Sequence, residues 1–470
     1  MSIQVMVKVL NFLSVLVLTR LLLKSEIGIM SVLQTQSLLF TTFASLGLSS
    51  VVTIMYYSRS EVSDRETALY SCFIGAILHA VCWFMATIFL RSQLPGLVAL
   101  PIDYRYLLMI AFFVGLVDIF QIPLARIFQF RSSLLAFGSV TLLPSLVPVG
   151  SGLLCMFLRS VNVESYFYGV FAGSVASVCF YIVLYAKVFK NVKPSFADIK
   201  KYFAVGYKMV ILSVLSISSV YITRNVLFKM YRPEAAAEFM IGNQLASAFS
   251  IFSYSIELAW LPFCMQFADA PRADQERLGV FTHVFIVVSA ALILVAVLFG
   301  AEFLRFFFGA SYASSHAPMV ATLIQLFLAT LCIFFQAGFY FRRQAESLPR
   351  WMLFPSIVGA LLSFSLAYAY GITGACIAVA ASNFIALLWQ IYVNKRLNLP
   401  DYNYHYAKMG VAICLLAGGL YITLFQKIEE ASWMNRVGMY AAAMAVLLTL
   451  FWRSIKGGLN RAIFSIHNAR

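Results

Sequence analysis

Long apolar runs recur from one end of this 470-residue chain to the other. A run of about 18 or more apolar residues is long enough to cross a hydrocarbon layer of ~30 Å as a helix. Fourteen such runs can be placed, at roughly 3–23, 29–56, 67–90, 106–125, 134–158, 165–187, 206–228, 239–264, 279–300, 318–341, 352–370, 373–393, 405–425 and 435–452. Connections between them are short, so no soluble domain is inserted. With 62% hydrophobic and 11% charged residues and a mean hydropathy of +0.87, an ordinary soluble domain is excluded. The runs lack the strict alternation of a membrane β-barrel. They predict an all-α polytopic membrane protein of about fourteen transmembrane helices. The first run has no small-residue cleavage site after it and reads as a retained span.

The stretch 19–50 sets the internal organisation. It reads as the end of one span, a charged turn (Arg20, Lys24, Glu26, Gly28), and a second long span. About two hundred residues later Thr223-Arg224, Lys229 and Glu238 repeat the theme of Thr19-Arg20, Lys24 and Glu26. A period this long is no solenoid. It predicts two six-helix lobes, 1–190 and 201–398, joined by a polar, basic loop at 191–200. Residues 399–470 carry two further spans and a tail. Six spans is an even number, so both lobes enter the membrane in the same direction, as parallel repeats. Pro123, Pro144, Pro148, Pro262 and Pro355 fall inside spans, where each removes a backbone donor and frees a carbonyl.

With the amino terminus in the cytoplasm, the inner loops and tail carry 21 of the 34 Lys and Arg residues and the outer loops 10. That asymmetry predicts that both termini are cytoplasmic.

Charges inside the spans are the candidate functional groups. A Lys, Arg or Asp at mid-membrane costs about 2.5–3.5 kcal/mol on insertion scales, so its presence needs a reason. The cavity candidates are Arg20, Arg224, Lys8, Lys208 and Arg126; the coupling candidates are Asp118 and Glu257. Each has a plainer alternative. Arg20 and Arg224 lie near the outer ends of their spans, and Lys8 and Lys208 near the inner ends, where long side chains reach the headgroups. Arg126 could anchor an inner loop. Asp118 could share a water-filled groove with it, two turns along the helix. Glu257 is either a carboxyl hydrogen-bonded in helix packing or a proton-sensitive coupling group.

Signs of catalysis are missing. The five histidines are scattered without carboxylate or cysteine partners at ligand spacing, which points to no metal. The eight cysteines all lie in apolar runs, without a disulfide or zinc pattern. No phosphate-binding glycine loop appears, so neither a nucleotide nor any other cofactor is implied, and the chain reads as a non-enzyme.

The pattern Arg20–(x5)–Glu26-Ile27-Gly28 followed by Leu46-Gly47-Leu48-Ser49 resembles the first helix pair of the Wzx-type polysaccharide flippases. These belong to the multidrug/oligosaccharidyl-lipid/polysaccharide exporter superfamily. Phe308-Gly309-Ala310-Ser311-Tyr312 and Tyr370-Gly371-Ile372-Thr373-Gly374-Ala375 resemble later motifs of the same family. Two features depart from it: the polar lead-in before the first span is nearly absent, and Thr223 stands where relatives often carry an acid. The resemblance implies transfer of a polyprenyl-diphosphate-linked oligosaccharide, such as an O-antigen unit of lipopolysaccharide, across a bacterial inner membrane. It also implies contact with membrane lipids and with polysaccharide polymerase machinery, and none with nucleic acid.

Three other functions fit parts of the sequence. A lipid II flippase shares the fold and the basic cavity. A multidrug exporter of the superfamily would favour acidic cavity residues for cationic drugs. A membrane polymerase or ligase would need a sizeable outer loop, and none here is large enough.

Overall fold

The computed structural model describes residues 2–48, 51–52, 55, 62–89, 100, 104–130, 133–190, 192–266, 272–341, 348–397, 405–426 and 431–468. Among these residues thirteen long α-helices follow one another and no strand occurs. They are α1 (Ser2–Leu21), α2 (Lys24–Ser45), α3 (Val62–Phe89), α4 (Leu107–Phe130), α5 (Leu134–Leu158), α6 (Val163–Val188), α7 (Phe196–Val226), α8 (Pro233–Gln266), α9 (Arg272–Phe308), α10 (His316–Phe341), α11 (Leu348–Arg396), α12 (Tyr406–Phe425) and α13 (Trp433–Asn468). Among the described residues, ten helices are long and apolar enough to cross a membrane by themselves. One of these runs over Arg350–Arg396, 47 residues. At 1.5 Å per residue that is roughly 70 Å, enough for two crossings. The backbone breaks inside α11 at Gly371, with φ 60° and ψ −135°, a conformation that favours glycine. Counting both sides of the break, fourteen helical segments match the fourteen apolar runs in order. The chain is a polytopic α-helical membrane protein.

Several helices outrun the apolar runs that predict them. α9 spans Arg272–Phe308 against an expected 279–300, and α13 spans Trp433–Asn468 against 435–452. Hydropathy marks only the lipid-embedded part, whereas the backbone ladder continues through polar flanks until a cap or break stops it.

The helices pack into two units, Met1–Met240 with Ser363–Gly371, and Ile241–Leu362 with Ile372–Arg470. In the first unit, α5 and α6 approach closely. A Cβ on Gly173 would lie 2.6 Å from the Pro148 Cα, so glycine is what lets the backbones meet there. The Ser151 hydroxyl donates across the pair to the Gly169 carbonyl at 2.7 Å. In the second unit, α13 is held to α9 by the Arg436–Glu302 ion pair, and Arg436 Nη1 also donates to the Leu298 carbonyl at 3.2 Å.

Two of the in-span prolines show how the freed carbonyls are satisfied. Pro144 leaves the Val140 carbonyl without its usual donor, and the Tyr181 hydroxyl on α6 supplies one at 2.7 Å. Pro355 does the same to the Trp351 carbonyl, which takes the Trp389 indole N–H at 2.7 Å. In lipid an unsatisfied carbonyl is costly, so each proline fixes a neighbouring aromatic.

The charged turn before α2 is organised by Glu26. Its carboxylate accepts the Leu23 N–H at 3.0 Å, capping α2, and the Val163 N–H at 3.1 Å, at the start of α6. One anion therefore sits at two helix amino termini, where both donors and dipoles favour it.

Candidate functional site

The candidate site is built on α2 and α7, both in the first unit. On α2, Ser31, Thr35 and Gln36 are 0%, 3% and 3% exposed, at the middle of the helix. Ser31 and Thr35 are one turn apart on one face. On α7, Tyr221, Arg224 and Asn225 fall at i, i+3 and i+4 and share a face. These two polar stripes meet. Arg224 Nη1 donates to the Thr35 hydroxyl at 3.0 Å and to the Ser31 carbonyl at 3.4 Å. Gln36 Nε2 donates to the Asn225 Oδ1 at 3.3 Å and to the Tyr221 hydroxyl at 3.4 Å. Asn225 Nδ2 turns back to the Tyr221 carbonyl at 2.9 Å.

The cluster has more donors than acceptors. A guanidinium carries five N–H groups; here Nη1 bonds to Thr35 and Ser31, while the buried Nε meets no partner. Among the described residues no carboxylate pairs with Arg224. Arg224 is thus a half-buried cation in the last turn of α7, steadied by neutral oxygens and with a buried donor unused. A planar fork suits phosphate or carboxylate oxygens in particular.

Both ends of this helix pair are closed. At one end, Lys24 on α2 pairs with Glu238 on α8 at 2.6 Å, and a Cβ on Gly28 would fall on the Pro233 carbonyl. At the other, the Tyr202 hydroxyl donates to the Ser45 carbonyl at 2.7 Å, and a Cβ on Gly206 would lie 2.8 Å from the Leu46 carbonyl oxygen. Next to it Leu46 and Gly47 both take positive φ, 46° and 67°, so the α2 terminus turns sharply where α7 packs on it. The polar cluster lies between two shut ends.

The other sequence candidates lie elsewhere. Arg20 is exposed on the last turn of α1, and Lys8 and Lys208 are exposed on α1 and α7. Arg20 and Arg224, the shared dipeptide of the two halves, thus stand in different surroundings. Arg126 is half-exposed on α4 and donates to Gln129 at 3.0 Å. Asp118 is exposed on α4 between the buried Val117 and Ile119. Glu257 lies on α8, with its side chain outside the described residues. Among the histidines, His79 is saturated, its Nδ1 3.0 Å from the Ala44 carbonyl and its Nε2 accepting the Trp83 indole N–H at 3.0 Å.

Reasoning from charge alone passes over Thr35, Gln36, Tyr221 and Asn225. Their signal was present as polar residues recurring at three- and four-residue spacing inside two apolar runs.

The second unit holds a groove of about 440 Å³ between α10, α11 and α12, lined by residues such as Leu328, Phe384, Leu420, Leu424 and Phe425. Its walls are almost wholly apolar, which suits hydrocarbon and no charged group.

Residues 1–268 match the family model of polysaccharide biosynthesis proteins. A search of curated protein sequences finds no match. Among solved structures, the chain is similar to the lipid II flippase MurJ in an inward closed conformation, with a TM-score of 0.64 at 14% identity over 96% of this chain and 99% of that one. It is also similar to an inward-facing multidrug resistance MATE family transporter of the MOP superfamily, with a TM-score of 0.61 at 12% identity over 88% and 96% of the two chains. At such identities these likenesses establish the fold, which is that of the MOP transporters and flippases.

Proposed function

This chain belongs to the polysaccharide biosynthesis protein family, and from that premise we propose that it moves a polyprenyl-diphosphate-linked oligosaccharide from the cytoplasmic to the periplasmic leaflet. The observation that carries the reading is Arg224, a half-buried cation with a buried, unused donor and, among the described residues, no carboxylate beside it. A diphosphate supplies the missing charge and the oxygens. Gln36 and Tyr221 extend the polar surface toward the first sugar. The apolar groove on α10–α12 offers hydrocarbon surface of the kind a prenyl tail needs. Turnover is by alternating access between lobes 1–190 and 201–398, with Arg20, Lys8, Lys208 and Arg126 adding positive potential along the path and Asp118 or Glu257 coupling it to an ion gradient. The protein sits in the bacterial inner membrane and hands its substrate to a polysaccharide polymerase.

A lipid II flippase is the second reading, and the same observation supports it, because that substrate shares the diphosphate. Vesicles separate the two. Purified protein is reconstituted with a fluorescent prenyl-diphosphate oligosaccharide or with lipid II, and the label reaching the opposite leaflet is followed. Faster movement of the oligosaccharide lipid is expected. Movement of lipid II alone would transfer the assignment, and movement of neither would remove it.

Orientation has its own test. With native cysteines removed, an impermeant thiol reagent added to intact cells should label a cysteine placed at position 98 and spare one at 196. The reverse pattern would invert the proposed topology.

A further inference from the structure

The Lys24 end of the helix pair holds one buried carboxylate and two cations. Glu238, with a side chain 5% exposed, pairs with Lys24 at 2.6 Å, and Lys24 is 23% exposed. Arg232 stands second in line, its Nη2 3.9 Å from the same Glu238 oxygen and its side chain 66% exposed. Lys24 opens α2, whereas Arg232 and Glu238 lie on the same short segment at the start of α8. Any motion that parts α2 from α8 therefore separates Lys24 from Glu238 and carries Arg232 along with it.

We propose that Glu238 is exchanged between these two cations as this end of the site opens. Lys24 holds the carboxylate in the closed state, and Arg232 takes it as α2 withdraws. The physical need is plain: a carboxylate this deeply buried is strongly destabilising if left alone, so a gate that broke its only ion pair would open rarely. A second cation close by removes that barrier while keeping the closed state the better paired of the two, since an ion pair weakens with distance.

Two features of the backbone fit an element that moves. Between α7 and α8 the chain makes a π-helical turn, Leu227–Tyr231, closed by the Arg232 N–H to the Leu227 carbonyl at 3.2 Å. Wide turns of this kind are rare and are frequent at functional sites. The same turn is tied to the break in α11: the Tyr231 hydroxyl donates to the Tyr368 carbonyl at 2.9 Å, and a Cβ on Gly371 would lie 2.9 Å from the Tyr231 ring. The segment bearing Arg232 thus follows a π-helical turn on its α7 side, and the Tyr231 hydroxyl ties that turn to the α11 break.

This inference rests on the reading of the chain as an alternating-access transporter, and not on the identity of its substrate. The test is amide hydrogen exchange on the purified protein in lipid nanodiscs, with polysaccharide export measured in cells lacking the native copy. In Lys24→Gln, exchange at the first turns of α2 and α8 should rise about tenfold, because one partner of a buried pair is gone. The charge-reversed double variant Lys24→Glu/Glu238→Lys should return exchange to within about threefold of the original, which also shows that these variants fold. Arg232→Gln should leave exchange at the original level and slow export several-fold, because opening loses its second partner. Unchanged exchange in Lys24→Gln would reduce the pair to a surface contact. Export at the original rate in Arg232→Gln would overturn the exchange of partners. If the original protein itself moves no lipid in vesicles, the transporter reading fails first and for a different reason.

Discussion

Replacing Arg224 with alanine is expected to lower export of surface polysaccharide at least tenfold while the protein inserts, folds and gains thermal stability. The loss follows from chemistry: a hydrogen bond to a charged group is worth about 1.5–3 kcal/mol, or roughly tenfold to a hundredfold in occupancy of the site. The gain follows from burial. Arg224 is half-buried, its Nε has no partner, and among the described residues no carboxylate offsets its charge, so removing it relieves an unfavourable charge. α2 and α7 stay joined through the Gln36 bonds to Tyr221 and Asn225 and through their closed ends. Lysine at this position should restore export only in part, because a point charge replaces a two-pronged donor. Thr35→Val should weaken export less than the alanine variant, since it removes one of the two acceptors that aim the guanidinium and leaves the charge. Thermal unfolding in detergent and export in cells are the two measurements. A variant that loses export and stability together would mean that Arg224 is a structural residue.

The second large effect is steric. Gly28→Val should abolish export, and it should raise amide exchange at the first turns of α2 and α8. A Cβ at this position falls on the Pro233 carbonyl oxygen and 2.6 Å from its carbon, so what stands in the way is backbone, which cannot rotate aside. The two helix starts must separate, and Lys24 and Glu238 are drawn apart with them. Gly418, inside α12, provides the control, because a Cβ there meets nothing within 4 Å. Gly418→Ala should leave export unchanged and stabilise the helix by up to about 1 kcal/mol. If Gly28→Val exports normally, the closed contact at this end does not belong to the transport cycle.

The sequence determined the helical, membrane-spanning character of this protein because both facts are local. Every span must satisfy its own backbone in lipid and must be apolar over a fixed length, and both requirements can be read residue by residue. The break at Gly371 was legible as well, as a glycine between runs ending at 370 and starting at 373. So were the prolines, though not their compensation: that Val140 would receive the Tyr181 hydroxyl depends on where α6 lies beside α5.

For the candidate site, charge alone made only one member legible. Arg224 stood out as a charge in an apolar run, but so did Lys8, Lys208 and Arg20, which the fold leaves exposed. What separates them is a partner helix. Thr35 lies 189 positions from Arg224, and Lys24 lies 214 from Glu238. No pattern of spacing within a single helix reports which polar face will be turned against another. Tertiary packing alone decided that Arg224 is held inside by neutral oxygens, with a donor to spare, while Arg20, Lys8 and Lys208 remain exposed on their helices.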